Sequence, residues 1–334
     1  MAQESINLKI PFSILDLATI AQGRTAADAF HHSLEVARLA DNLGFKRYWL
    51  AEHHNSISVA SSATVILIGY IAQGTTSIRV GSGGIMLPNH SPLIVAEQFG
   101  TLTSLYPDRI DLGLGRAPGT DQLTALAIRG ENQRVHDFPN DVVKLQTYFS
   151  ANNNTAKVRA IPGEGLDIPL WILGSSLDSA LLASSLGLPY AFASHFSPYY
   201  LLPAIDLYRR SFKASAQLSK PYVMACVNVV AADTDAEADL LATSLHQLFL
   251  GVISGKMKAL HPPQRNMATV WDEDEELAVL SRLTYSFIGG ADKLKTGMNA
   301  FIKETGVDEI MITSHIYDQA ARLKSHEIFA RVMK

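Results

Sequence analysis

Eight short apolar runs, separated by segments with helical periodicity, most strongly limit how this chain of 334 residues can fold. Buried runs of this kind that alternate with amphipathic segments are typical of parallel strands joined by helices. Eight such units specify a closed (β/α)8 TIM barrel better than an open sheet. The strands are predicted near residues 8–15, 46–51, 78–86, 109–115, 170–174, 190–195, 222–230 and 309–313.

Two helices in the first part of the chain have the clearest sequence signals. The first is predicted to begin after Thr25, a good N-cap residue, and to end at Gly44, which can adopt a left-handed C-cap. The second, from Ser61 to Ala72, is apolar nearly all round. Such a helix should be covered on both sides, either by a second subunit or by an overlying segment of the same chain.

Two connections are too long for a minimal strand and helix unit, so the predicted barrel carries insertions after strands 4 and 7. Residues 116–169 should hold one helix, and residues 231–308 a long helix from about Asp235 and an acidic helix around 272–283. Excursions of this kind at the active-site face of a barrel usually act as lids or substrate walls. No linker or low-complexity tract divides the chain, so residues 1–334 are expected to form one domain.

Charge and cysteine content limit the classes of partner and the location. Lysine and arginine number 28 against 32 aspartate and glutamate residues, a net charge of -4 that gives no reason to expect nucleic acid or a membrane surface as a partner. The single cysteine, Cys226, cannot form an internal disulfide and disfavours a thiolate metal site. With no secretory signal pattern and no apolar stretch of membrane-spanning length, we expect a cytoplasmic protein.

Three unusual loops follow consecutive predicted strands. They read Ala51-Glu52-His53-His54, Gly81-Ser82-Gly83-Gly84-Ile85-Met86-Leu87-Pro88 and Gly113-Leu114-Gly115-Arg116-Ala117-Pro118-Gly119. Because the carboxyl ends of barrel strands build the active site, these loops should converge there. A carboxylate beside imidazoles could bind a metal, although adjacent histidines on a strand point to opposite faces. His90, His195 and His315 also follow predicted strands, so a metal-dependent hydrolase barrel is one alternative.

A cluster of small polar residues follows the fifth predicted strand and opens a predicted helix, with the sequence Gly174-Ser175-Ser176-Leu177-Asp178-Ser179. Free N–H groups at a helix N-terminus, together with hydroxyls one turn apart, form an anion site. Ser175 or Ser176 could equally be a simple N-cap. Arg116 is the strong cation that these motifs carry, and it could pair with a bound phosphate or form a salt bridge at the barrel mouth.

With these motifs in this order, the chain resembles the bacterial-luciferase-like family of flavin-dependent monooxygenases, and within it the single-chain luciferase-like oxidoreductases. The resemblance covers nearly the whole chain and includes Ser13-Ile14-Leu15-Asp16-Leu17-Ala18, Tyr48-Trp49-Leu50-Ala51-Glu52-His53-His54-Asn55, Pro88-Asn89-His90-Ser91-Pro92, Arg109-Ile110-Asp111-Leu112-Gly113-Leu114-Gly115-Arg116, Leu173-Gly174-Ser175-Ser176 and Phe192-Ala193-Ser194-His195-Phe196.

That resemblance implies a TIM barrel, usually a homodimer, that binds reduced flavin mononucleotide (FMN) supplied by a separate flavin reductase. It implies that molecular oxygen oxidises a small organic substrate through a C4a-peroxyflavin. One alternative within the same fold uses the deazaflavin F420, and another is a non-catalytic flavin-binding protein. The retention of His53, Arg116 and the serine cluster weighs against the non-catalytic alternative.

The resemblance also implies roles for individual residues. His53 would be the acid/base group beside the oxygenated flavin, with Glu52 orienting it or capping the barrel, while His54 is expected to be structural. A non-proline cis peptide between Gly83 and Gly84 would bulge toward the flavin. Cofactor contacts are implied at Ala51, Met86, Glu97 and Arg116, and phosphate contacts at Gly174, Ser175, Ser176 and Ser179, with Arg134 as a weaker candidate. No residue is assigned to a metal.

Overall fold

Parallel strands form the centre of the computed structural model, which describes residues 9–130 and 137–334. The strands are β1 (Phe12–Asp16), β2 (Arg47–Leu50), β3 (Arg79–Met86), β4 (Ile110–Gly115), β5 (Leu170–Gly174), β6 (Tyr190–Phe192), β7 (Val223–Ala231), β8 (Ser286–Gly289) and β9 (Glu309–Thr313). Eight of them pair in the circular order β1-β2-β3-β4-β5-β6-β7-β9, with β9 returning to β1. This ring confirms the predicted (β/α)8 TIM barrel.

Helices cover the outside of this ring. They are α1 (Ala26–Leu43), α2 (Thr64–Gln73), α3 (Pro92–Leu105), α4 (Gln122–Arg129), α5 (Phe138–Phe149), α6 (Leu177–Leu186), α7 (Leu201–Ser211), α8 (Asp235–Ser254), α9 (Glu273–Arg282), α10 (Ala291–Thr305) and α11 (Gln319–Met333). The predicted caps of α1 are confirmed, because the Thr25 side chain accepts from the Asp28 N–H and Gly44 has a φ of 76°. Within the described residues, none of the helices is long and apolar enough to cross a membrane.

The two predicted insertions are present, but their contents differ from the prediction. The connection from β4 to β5 holds two α-helices, α4 and α5, rather than one. The connection from β7 to β9 holds α8, which begins at Asp235 as predicted, and also the unpredicted strand β8. That strand pairs with the last residues of β7, from Asn228 to Ala231. Its four residues are too few to show a period in the sequence.

Three element boundaries were also wrong. The first strand begins at Phe12 rather than at residue 8, and α2 begins at Thr64 rather than Ser61. The sixth strand stops at Phe192 rather than at residue 195, because the Ser194 N–H turns back to the Phe192 carbonyl.

Side chains on the strands alternate between two layers of the core. Tyr48 and Leu50 of β2 pack outward in the cluster that includes the helices, whereas Trp49 points into the barrel. The interior cluster consists of Leu15, Trp49, Ala51, Trp171, Ala191, Met224, Cys226 and Met311. In a ring of eight strands each strand faces the one four positions away, so β2 faces β6 and β3 faces β7. These facing pairs determine what can meet across the barrel mouth.

Candidate active site

Four polar side chains lie above the interior cluster at the carboxyl end of the barrel. Asn228 lies on β7 two positions after Cys226 and therefore points inward like it. His53, His195 and His315 follow the carboxyl ends of β2, β6 and β9. We call these four residues the polar floor. Asn228 is 1% exposed and His315 is 5% exposed, while His53 and His195 are half-buried.

The imidazoles of the polar floor are neutral at neutral pH. Burial, reinforced by electrostatic repulsion from the neighbouring imidazoles of His315 and His53 when they are protonated, lowers the pKa of His195 to about 3. Burial, with the nearby Arg322 guanidinium, lowers the pKa of His315 to about 4. Burial also lowers the pKa of His53, although the Glu52 carboxylate opposes that effect.

Several polar atoms of the floor lack partners. Nδ1 of His53, Nδ1 of His195 and Oδ1 of Asn228 are fully buried without a hydrogen bond within the described residues. The amide nitrogen of Asn228 donates to the His195 carbonyl at 2.6 Å and to Ser286 Oγ at 3.2 Å, which identifies Oδ1 as the unpaired atom. Leaving a buried polar group unpaired costs about 1–3 kcal/mol. An arrangement of this kind is expected where a ligand or an ordered water completes the site.

Glu52 connects the ends of two strands to the loop beyond them. Its Oε1 atom lies 2.9 Å from Nε2 of His54 and 2.9 Å from Nε2 of His90, and its Oε2 accepts the Met86 N–H at 3.0 Å. The carboxylate is fully buried. Burial raises its pKa, but the hydrogen bonds from His90, His54 and the Met86 N–H bring the pKa below its usual value.

The expectation that Glu52 orients His53 directly is therefore wrong. Within the described residues its oxygens bond to His54, His90 and Met86, so Glu52 caps the barrel and fixes the backbone that carries His53. The structural hydrogen bond expected for His54 is present. The His53 N–H donates to the Ser61 carbonyl at 3.1 Å, which adds a second anchor for that backbone.

A wall without side chains lies on β3 and β4. The Gly83–Gly84 peptide is cis, as predicted, and the pairing register shifts between Ser82 and Ile85. A Cβ on Gly83 would lie 2.6 Å from Leu15 Cδ1, and one on Gly84 would lie 2.7 Å from the Gly113 carbonyl oxygen. At Gly84 the clash is with backbone, so that position requires glycine, whereas at Gly83 the closest atom is the end of the Leu15 side chain. Bare backbone lines this part of the mouth.

Two of the predicted ring contacts border this wall. Ala51 is buried at the end of β2, in the interior cluster. Met86 ends β3, and its sulfur lies 2.8 Å from where a Cβ on Gly115 would be. The small residue at Gly115 therefore leaves room for the Met86 side chain. Ala51 and Met86 thus lie beside the glycine wall, at the positions where apolar ring contacts were predicted.

The serine cluster begins α6, next to the end of β5. Ser176 is the N-cap and accepts from the Ser179 N–H at 3.4 Å, and its contact with a phosphate stays a prediction. Ser179 Oγ donates to the Ser176 carbonyl at 2.7 Å and lies 3.0 Å from the Tyr190 hydroxyl. A Cβ on Gly174 would lie 2.2 Å from Ser179 Oγ, so this close packing requires glycine. Ser175 is half-buried beside them.

Arg116 extends from the end of β4 toward this helix terminus. Its Nη1 atom lies 3.7 Å from Oδ2 of Asp178 in the first turn of α6, and its side chain is 60% exposed. A pair so exposed and so long contributes little to stability. Arg116 also lines an open cavity of about 690 Å³ together with Arg129 and Pro118. The guanidinium is thus close to the α6 terminus without being fixed there.

Two of the predicted cofactor contacts, Glu97 and Arg134, stay predictions. Glu97 lies on the second turn of α3 and is half-buried, and its backbone carbonyl accepts from Thr101 Oγ1 at 2.8 Å. Within residues 9–130 and 137–334, no hydrogen bond or ion pair links its carboxylate to the other site residues, so its role stays a prediction. Arg134 lies outside the described residues.

The metal-dependent hydrolase alternative gains no support. In the described part of the chain, no group of three or more His, Cys, Asp or Glu side chains could hold a metal ion. His54 and His90 face the same carboxylate oxygen rather than a shared coordination point.

Another open cavity of about 690 Å³ lies at the opposite, N-terminal end of the barrel. The lining residue Arg47 is paired with carboxylates behind the cavity wall: its Nη1 lies 2.6 Å from Asp111 Oδ2 and its Nε lies 3.1 Å from Glu309 Oε1. The Arg47 guanidinium also lies 4.7 Å from the centre of the Trp171 ring. Because these charges neutralise each other, we attribute this end to stability rather than chemistry.

Sequence reasoning missed the partnership of Glu52 with His90 and the whole contribution of Asn228. Asn228 could have been recognised from the sequence, because it follows Met224 and Cys226 at a spacing of two residues near the end of a strand. Its side chain therefore points to the barrel interior, as theirs do. A polar residue at such a position is unusual in a barrel core and points toward the mouth.

Comparison with known proteins places the chain among close relatives. A family model described as luciferase-like monooxygenase matches residues 10–309. A luciferase-like monooxygenase from Escherichia coli strain K12 is 52% identical over 320 residues, covering 96% of each chain. The solved structure of apo-MsnO8 superposes with a TM-score of 0.86 at 34% sequence identity, covering 97% of this chain and 98% of that one.

Two more distant structures share the fold. The oxygenating constituent of 3,6-diketocamphane monooxygenase from Pseudomonas putida, solved in complex with FMN, has a TM-score of 0.73 and 17% identity over 97% of each chain. An F420-dependent secondary alcohol dehydrogenase has a TM-score of 0.68 and 16% identity, covering 97% of this chain and 98% of that one. At these identities the likeness concerns the fold alone.

Proposed function

This chain belongs to the luciferase-like monooxygenase family, and we propose that it uses reduced FMN and molecular oxygen to oxidise a small organic substrate. The observation that carries the proposal is the composition of the barrel mouth. A side-chain-free wall at Gly83 and Gly84 lies between the N-terminus of α6 with Arg116 on one side and the neutral imidazole of His53 on the other.

The residues present fit a flavin. A flavin ring needs a flat apolar surface, which the glycine wall with Ala51 and Met86 would provide. Its phosphate needs several donors. The free N–H groups of the first turn of α6, the hydroxyl of Ser175 and the loosely held guanidinium of Arg116 would supply them. Arg116 would then exchange its long contact with Asp178 for the phosphate.

The bound reduced flavin would supply the electrons that activate oxygen, one atom of which enters the substrate while the other leaves as water. The protein would supply proton transfer, exclusion of water and orientation. His53 is suited to proton transfer because its lowered pKa keeps it neutral at neutral pH, so it can accept a proton. Glu52 would act indirectly, by fixing the backbone on which His53 stands.

An F420-dependent oxidoreductase is the second candidate, because an F420-dependent secondary alcohol dehydrogenase shares the fold. The 3,6-diketocamphane enzyme, which was solved in complex with FMN, shares the fold to a similar extent and so supports FMN as strongly as the dehydrogenase supports F420. The relative at 52% identity is itself named a luciferase-like monooxygenase, which favours the oxygenase. A non-catalytic flavin-binding protein would not need the polar floor.

We also propose that the protein is a homodimer served by a separate flavin reductase. The α2 helix leaves Ile66 73% exposed and Tyr70 37% exposed on one face. The apolar sequence of α2 allowed burial either by a second subunit or by an overlying segment of the same chain. Within the described residues no segment covers this face, so the second explanation is wrong for it. A second subunit would bury it. In this proposal reduced flavin would come from another protein.

Titration of the apoprotein with FMN, reduced FMN and F420 tests the cofactor assignment. Saturable binding of FMN in either redox state, with no binding of F420, supports the proposal. Binding of F420 alone would replace it with the hydride-transfer alternative, and absence of binding by all three would reject a flavin function altogether.

A further inference from the structure

We propose that His195 binds the substrate through a neutral hydrogen-bonding group, so that the enzyme favours hydroxyl- or amide-bearing substrates over carboxylates of the same shape. This inference rests on the proposed function and extends it to the substrate class. The strand order around the barrel determines which residues lie opposite a flavin bound at the glycine wall.

His195 faces His53 across the mouth. The ring of strands sets β6 opposite β2 and β7 opposite β3, so His195 and Asn228 stand against the wall that carries His53 and Gly83. A flavin ring on the glycine wall of β3 would leave its open face toward β7 and Asn228, with His195 on the neighbouring strand segment. A substrate above that face would therefore lie beside His195.

His195 has free hydrogen-bonding capacity. Neither of its ring nitrogens has a partner within the described part of the chain; Nδ1 is fully buried, and Nε2 is not. The backbone of His195 is held, because its carbonyl accepts the Asn228 amide at 2.6 Å. Its ring packs edge-on against Phe196, with centroids 4.8 Å apart. Asn228 is thus a positioning residue for the backbone that carries this unsatisfied imidazole.

The surroundings disfavour a charged substrate group. With a pKa of about 3 for His195 and about 4 for His315, neither imidazole provides a positive charge at neutral pH. Burying a carboxylate beside them would be costly, because the nearby Arg322 guanidinium is already paired with Asp16 at 2.7 Å. A hydroxyl or an amide carries both a donor and an acceptor, so it can satisfy either tautomer of the ring.

Hexanamide and hexanoate, which have nearly the same shape, test this inference when titrated into the FMN-loaded protein. Binding is followed by the change in absorbance of the bound flavin at pH 7. We expect hexanamide to bind at least tenfold more tightly than hexanoate. His195→Leu should lower the hexanamide affinity about tenfold and leave FMN affinity unchanged, while His195→Gln, which keeps a neutral hydrogen-bonding group, should retain most of the preference.

His246→Leu is the matched control, since His246 is another partly buried imidazole, packed against Trp271 with ring centroids 5.5 Å apart. It should change neither affinity. Equal binding of the two probes by the unmodified protein overturns the inference, as does a preference that survives in His195→Leu. A parallel loss of FMN in His195→Leu would assign His195 to the flavin instead. Failure of the unmodified protein to bind FMN would reject the proposed function itself, and the inference with it.

Discussion

Oε1 of Glu52 lies 2.9 Å from Nε2 of His90, a residue 38 positions further along the chain. This bond, with those from His54 and the Met86 N–H, joins the end of β2 to the end of β3 and to the loop that leads into α3. One buried carboxylate thereby fixes the segment after β2 that carries His53 and the end of β3, the strand that carries the glycine wall.

Replacing Glu52 with glutamine should lower the free energy of unfolding by about 1–3 kcal/mol. The amide would keep the size of the side chain but would place an N–H group where the carboxylate now accepts a hydrogen bond from His54, His90 or the Met86 N–H. Denaturant unfolding measures the change. Asp206→Asn, which removes an exposed pair with Arg210, is the control and should cost less than about 0.5 kcal/mol. Equal effects of the two substitutions would show that the Glu52 bonds do not stabilise the mouth.

Stability should fall as the pH is lowered from 6.5 toward 4. The pKa values of His195, His315 and His326 are about 3, 4 and 4, below their usual 6.5, so in this range the unfolded chain binds more protons than the folded one. Each imidazole should contribute about 1.4 kcal/mol per pH unit. Asp16, with a pKa of about 2, would act only at lower pH.

His326→Gln tests this assignment at a residue that lies away from the barrel mouth. Its Nδ1 lies 2.7 Å from the Arg322 carbonyl in a fully buried setting. The slope of unfolding free energy against pH should decrease by about 1.4 kcal/mol per pH unit in the variant. An unchanged slope would mean that the buried imidazoles do not control acid stability.

His53 and His54 should respond differently to replacement by alanine. His53→Ala should retain flavin affinity but lower oxidation of a substrate found by screening about 10²- to 10⁴-fold, with more hydrogen peroxide formed per reduced flavin. His54→Ala removes a bond to Glu52 and should lower stability more than turnover. The opposite outcome, in folded and flavin-loaded variants, would assign the proton transfer to His54.

Ile66→Glu should convert a dimer into a monomer, because it places a charge in the exposed apolar face of α2. Light scattering coupled to size-exclusion chromatography measures the mass. Leu277→Glu is the control, since Leu277 is 70% exposed on α9 and lies on another helix. A mass that stays dimeric in Ile66→Glu, or that is monomeric before any substitution, contradicts the proposed interface.

The barrel could be predicted from sequence because the eight apolar runs alternate with helical periodicity, which is a local pattern. The cis peptide at Gly83–Gly84 was expected from the family resemblance and not from a local pattern. The cap residues Thr25 and Gly44 act on their own helix, so their roles also follow from nearby residues.

The partners of the site residues could not be predicted in the same way. Glu52 contacts His90 rather than its neighbour His53, because the end of β3 and the loop after it fold over the carboxylate. The opposition of His195 to His53 depends on strand order around a closed ring, which no local pattern encodes. The sequence identified the polar residues of the site, but which of them come into contact depends on closure of the barrel.

The affinity of the protein for reduced FMN relative to reduced riboflavin, measured with and without Arg116→Gln, tests the central claim most directly. Arg116 and the terminus of α6 are proposed to hold the phosphate that riboflavin lacks. The unmodified protein should bind FMN more tightly, and Arg116→Gln should weaken FMN about ten- to hundredfold while leaving riboflavin unchanged. Arg210→Gln, at an exposed residue of α7, should affect neither ligand. Equal affinity for the two flavins, or an equal loss of both in Arg116→Gln, would contradict a flavin phosphate site at this end of the barrel.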